Sequence, residues 1–139
     1  GDYVAIYGIP KLLMSVVRMA DMSRTPDVRT RAILPEWACR VVISFVQPIL
    51  KRNAVVNLLA AAGLIQGVGD WRPEKGNGSY GQFQIVPPDD AVYRAIIRQG
   101  GREAQLKALA DPENYDAETE RLRAWYDTEV ARREMKAVA

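Results

Sequence analysis

The segment Gly67-Val68-Gly69-Asp70-Trp71-Arg72-Pro73-Glu74-Lys75-Gly76-Asn77-Gly78-Ser79-Tyr80-Gly81 decides how the rest of this chain is read. Five of the chain's ten glycines fall in it, interleaved with two cations and two aromatic residues. Glycine forfeits side-chain contacts and costs conformational entropy, so this density implies positive φ angles or a backbone that something approaches closely. Two readings are open. Amides in such a loop, beside Arg72 and Lys75, suit a phosphate or another anion. Alternatively, Asn77-Gly78 simply turns a long hairpin-type loop.

Upstream of the loop, Val55, Leu58, Leu59 and Ala62 recur at i, i+3, i+4 and i+7, which predicts a helix over 51–64 with Gly63 near its end. Downstream, alternation predicts a strand over 80–86 with Phe83 and Ile85 inward. Toward the N-terminus, residues 38–46 alternate Cys39, Val41, Ile43 and Phe45 on one face and Arg40, Val42 and Ser44 on the other, the pattern of a half-buried strand. Residues 2–9 and 28–34 also read as strands. Residues 11–19 suit either a helix or a strand: Leu12, Leu13, Val16 and Val17 have helical spacing, yet the β-branched residues and the short length permit a strand.

After Pro87-Pro88 the chain changes character. Asp89 and Asp90 are ready N-caps for a helix to about residue 98, and a second helix spans 102–110. Asp116 opens a third, highly charged helix to about residue 137, with Leu122, Trp125, Tyr126 and Val130 as its apolar stripe. The pattern predicts an α+β protein: a ferredoxin-like, split βαβ antiparallel sheet over residues 1–86, then a C-terminal helical extension over 87–139. The open face of that sheet would show Arg40, Ser44, Gln82 and Gln84. The chain begins with Gly1, so truncation of the first domain at its N-terminus is left open.

Composition narrows the function classes. The chain has 139 residues, a net charge of +2 and no histidine, which removes Ser-His, Cys-His and other histidine-based acid–base schemes and nearly all zinc sites. Cys39 is the single cysteine and reads as a buried small hydrophobe. Residues 1–86 carry ten Lys/Arg against six Asp/Glu, a net +4, whereas 87–139 carry nine against eleven, a net −2. A basic front suits a polyanion. No carboxylate pair has the spacing and context of a catalytic dyad or a metal cage, so we expect no enzyme, no catalytic residues, no metal and no cofactor. Neither a bilayer-length apolar run nor a basic leader followed by one is visible, which leads us to expect a cytoplasmic protein with no membrane partner.

The helix–Gly-X-Gly–X6–Gly-X-Gly–X2–Gly arrangement, running from Ala60-Ala61-Ala62-Gly63 through Gly67-Val68-Gly69 to Gly76-Asn77-Gly78-Ser79-Tyr80-Gly81-Gln82-Phe83, resembles the glycine-rich signature of the RAMP superfamily. These are the ferredoxin-like RNA-binding proteins of CRISPR complexes. The wider string, from Thr25-Pro26-Asp27-Val28-Arg29 through Pro35-Glu36-Trp37 to Trp71-Arg72-Pro73-Glu74-Lys75-Gly76, resembles the C-terminal half of a family of phage and prophage proteins. The similarity covers roughly residues 18–86 and implies a RAMP-like fold with a nucleic-acid backbone contact at the loop. The loop lacks the histidine of a guide-processing nuclease.

The candidate interface therefore comprises Gly67, Gly69, Trp71, Arg72, Lys75, Gly76, Gly78 and Tyr80. Arg29, Arg31 and Arg40 form a second basic group. Arg72 would fork two phosphate oxygens and Lys75 would act as a point charge. Trp71 and Tyr80 would stack on unpaired bases. Against this stand pairing of Arg72 and Lys75 with Asp70 and Glu74, and burial of Trp71 beneath the loop as its anchor. The expected partner is single-stranded DNA or RNA, with self-association through the C-terminal helices. The alternative from another class is a protein–protein module, an assembly subunit or inhibitor of a host complex.

Overall fold

A computed structural model describes residues 3–19, 22–75 and 78–138. Its elements are β1 (Ile6–Tyr7), β2 (Lys11–Arg18), β3 (Pro26–Ile33), β4 (Ala38–Cys39), α1 (Arg52–Ile65), a 3-10 turn (Pro73–Lys75), α2 (Ala91–Gln99), α3 (Arg102–Ala110) and α4 (Ala117–Val138). The fold is α+β. The strands form two antiparallel pairs, β1 with β4 and β2 with β3. Among the described residues these pairs are two separate sheets, not joined into the single split-βαβ sheet expected from the strand order.

Two compact units divide the chain. Unit 1 joins the segment Gly1–Arg40 to Ala95–Ala139, and unit 2 is Val41–Arg94. In unit 1, β2 and β3 pair without a bulge, from Lys11 opposite Ile33 to Arg18 opposite Pro26. Pairing resolves the ambiguity of residues 11–19, because β-branched Val16 and Val17 fit a ladder better than a helix. The other edge of β2 is occupied in part. The Leu12 amide donates to the Glu113 carbonyl at 2.8 Å, and the Leu12 carbonyl accepts from the Tyr115 amide at 2.8 Å. The neighbouring Lys11 Nζ lies 2.9 Å from a Glu113 carboxylate oxygen.

Met14, Ala38 and Thr119 are buried in this unit. Thr119 belongs to the first turn of α4, where Asp116 Oδ1 accepts its amide hydrogen at 2.8 Å. That bond holds the Asp116 carboxyl below its ordinary pKa. Asp90 Oδ1 likewise accepts from the Tyr93 amide at 2.8 Å, so of the two N-caps read from sequence Asp90 is the one that caps, and Asp116 caps the helix it opens.

Of two expected strands, one is cut to two residues and the other is absent. Residues 38–46 pair only at Ala38 and Cys39, because β1 offers two residues before Gly8 and Pro10 interrupt it. Beyond them Val41 and Ile43, placed in a core by alternation, are 56 % and 43 % exposed. Cys39 is half-buried rather than buried. Residues 82–86 have no strand partner either. The Phe83 amide donates instead to the Gly63 carbonyl at 3.1 Å, laying this segment against α1. Gly63 is the buried residue of α1, and a Cβ there would collide with the Phe83 carbonyl oxygen.

Candidate nucleic-acid interface

All the loop residues belong to unit 2, and the loop is closed by two rungs of backbone hydrogen bonds. The Val68 amide donates to the Gly81 carbonyl at 2.9 Å, and the Tyr80 amide to the Trp71 carbonyl at 3.1 Å. A Cβ on Gly81 would meet the Val68 carbonyl oxygen, and one on Gly78 would meet that of Trp71. Close approach of the two arms therefore accounts for these two glycines. At the loop's base, the Gly67 amide donates to the Ala62 carbonyl at 2.9 Å, and Gln82 Nε2 donates to the Leu64 carbonyl at 3.0 Å. Gln82 was expected on an outward sheet face; it braces the helix end instead. Gly76, with Asn77, lies outside the described residues.

Arg72 is engaged within the loop. Its Nε donates to Glu74 Oε2 at 2.8 Å, its Nη2 is 2.6 Å from the same oxygen, and its Nη1 donates to the Gly69 carbonyl at 3.0 Å. The guanidinium thus cross-links the start of the loop to the 3-10 turn, as the competing ion-pair reading expected for Glu74. Lys75 ends that turn and is exposed.

Trp71 is not an anchor. It is 62 % exposed, and Tyr80, bonded to it through the backbone, is 43 % exposed. Its φ of +56° is left-handed, a rare state for a bulky side chain. Gly67 and Gly69 are left-handed as well, at +65° and +82°. Every second residue from 67 to 71 therefore has reversed handedness, the kind of alternation from which anion-holding backbone concavities are made.

The arginines of the second group lie in unit 1. Arg29 and Arg31 share one face of β3, opposite Ser15 and Leu13, and Arg29 Nε is 3.9 Å from Asp27 Oδ2. Arg40 follows β4 and is exposed. In the C-terminal helix, Trp125 and Tyr126 are 56 % and 53 % exposed. Among the described residues no helix is long and apolar enough to cross a membrane.

Sequence reasoning missed Gln82 as a brace and the outer edge of β3. The alternation of 28–34 placed the strand, but which of its edges is free depends on pairing. Comparison of the chain with protein-family models, curated proteins and solved structures finds no match.

Proposed function

We propose that this chain is a non-enzymatic single-stranded nucleic-acid-binding protein of phage or mobile-element origin, which grips the strand through the glycine-rich loop. The observation that carries the reading is the pair Trp71 and Tyr80: two exposed aromatic rings on a loop held by backbone hydrogen bonds and by the Arg72–Glu74 pair. Base–aromatic stacking is worth roughly 1–3 kcal/mol per base and tolerates any sequence. A left-handed tryptophan stores strain of order 1–3 kcal/mol, and such strain gathers at functional sites. Lys75 and the backbone alternation at 67–71 supply the phosphate contacts, and Arg72 acts as the loop's internal tie. The ferredoxin-like, RAMP-like kinship enters through the helix–glycine loop segment alone, and the phage origin through the wider resemblance.

The test is fluorescence anisotropy of labelled single-stranded DNA, single-stranded RNA and duplex DNA, at low and physiological salt. Binding to a single strand, weakening steeply with salt, is expected. No binding to any of the three at low salt overturns the reading.

A second reading, a protein–protein module, is favoured by a different observation. Unit 2 exposes apolar side chains along much of its length. Large apolar residues contribute, among them Val42, Ile49 and Leu58 at 83 %, 80 % and 72 %. Exposed apolar surface of this kind marks interaction sites. A purified oligomer whose 260/280 absorbance ratio is unaffected by nuclease or strong salt supports this second reading.

A further inference from the structure

The hydrogen-bonding phase of β2 fixes that of β3. Leu12 and Met14 direct their backbone groups away from β3: Leu12 bonds residues 113 and 115, and the Met14 amide bonds the Thr119 hydroxyl. The odd-numbered residues of β2 therefore bond across the hairpin to Arg29, Arg31 and their odd neighbours. By the same alternation, Val28, Thr30 and Ala32 turn their amides and carbonyls outward, and among the described residues none of these groups has a backbone partner.

An eight-residue strand without a bulge, open along one edge, is a template for another strand. Moreover, a two-stranded hairpin is marginal by itself, and three or more strands give independent stability. The charges on β3 select what can pair there. For a two-fold antiparallel pairing of β3 with itself, the axis can pass through any residue from 27 to 31 with the outward amides in phase. Centring on Asp27 sets Asp27 against itself. Centring on Arg29 or Arg31 sets that arginine against itself, and centring on Thr30 sets Arg29 against Arg31. Centring on Val28 alone opposes no like charges, and it places Asp27 of each copy directly opposite Arg29 of the other.

We infer that two copies of this chain associate through the outer edges of β3, in the register centred on Val28, to form a four-stranded antiparallel sheet. Val28 exchanges two amide–carbonyl bonds with its counterpart. The Thr30 amide of each copy donates to the Pro26 carbonyl of the other. Pro26 has no amide hydrogen, so the ladder ends there without stranding a donor. Two Asp27–Arg29 contacts lie on one face of the joined sheet. The inference is independent of what the glycine loop binds.

The test is the mass in solution of the full chain, by light scattering over a concentration series, for the wild type and three variants. The wild type is expected at twice 15.5 kDa. Thr30→Pro removes an outward amide that the hairpin does not use, and is expected to be monomeric with an unchanged circular-dichroism spectrum. Asp27→Arg opposes like charges and is expected to weaken association by about tenfold. Asp27→Arg with Arg29→Asp recreates complementarity in this register alone, and is expected to return to wild-type association. A monomeric wild type, a folded Thr30→Pro dimer, or a double variant as weak as the single one overturns the inference.

Discussion

Thr119 Oγ1 accepts the amide hydrogen of Met14 at 3.1 Å, joining residues 105 positions apart. The threonine has no exposed surface and Met14 is 4 % exposed, so the bond is dry. One hydroxyl thereby ties the first turn of α4 to the edge of β2 and ends the outward ladder that Leu12 begins.

Thr119→Val keeps the shape of the side chain and strands the Met14 amide. Leaving a buried donor unsatisfied costs about 1–3 kcal/mol. Thr119→Ser retains the hydroxyl and is expected to recover most of that loss. Chemical denaturation of the two variants side by side checks this.

Trp71 carries the proposed stacking at the expense of backbone strain. Trp71→Gly is expected to leave thermal stability unchanged or raised, by up to about 1 kcal/mol, because glycine accepts a left-handed φ freely. The same change should weaken single-strand affinity by about 5- to 150-fold, the equivalent of one stacked base. Equal binding by the two proteins in the anisotropy titration would remove Trp71 from the interface.

Lys75 and Arg72 should separate in their salt dependence. Lys75→Ala is expected to lower the slope of log affinity against log salt by about 1, with stability unchanged. Arg72→Ala releases Glu74 and the Gly69 carbonyl, so its expected signature is a looser loop, read as faster amide exchange at residues 68 and 80.

Gly81 and Gly69 are both left-handed, at +71° and +82°, but only Gly81 is crowded. Gly69→Ala meets no atom within 4 Å, so its expected cost is the backbone term, about 1–2 kcal/mol. Gly81→Ala adds a collision with the Val68 carbonyl and must open the closing rung. Proteolytic nicking within the loop is expected for Gly81→Ala and not for Gly69→Ala.

Glu129 is held down from 4.5 to about 2 by hydrogen bonds from Arg132 and Arg133. A carboxylate depressed on folding stabilises the folded helix above its unfolded pKa, and that contribution is lost as the pH falls through the folded one. The helical signal at 222 nm of Glu129→Gln should therefore lie below that of the wild type at neutral pH. The difference should close between pH 4.5 and about 2.

The sequence by itself determined the helices. Periodicity predicts a helix over 51–64 and the Gly100-Gly101 break a helix over 102–110, and the structure places α1 at Arg52–Ile65 and α3 at Arg102–Ala110. Asp90 and Asp116 announced the starts of α2 and α4. Helical hydrogen bonds join residues four apart and a cap reaches three residues on, so everything such an element needs is written in its own segment. Tertiary structure decided the strands. Residues 38–46 alternate more cleanly than 11–18, yet only the latter form a long strand, because a ladder needs a partner and β3 supplies one. The same holds at the loop. Its glycines and cations were legible as a cluster, but whether Arg72 faces a phosphate or Glu74, and whether Trp71 is an anchor or an exposed ring, depends on where the two arms of the chain close. That closure is set by the Val68–Gly81 and Tyr80–Trp71 rungs, whose partners lie nine to thirteen residues apart in the chain and are adjacent only after folding.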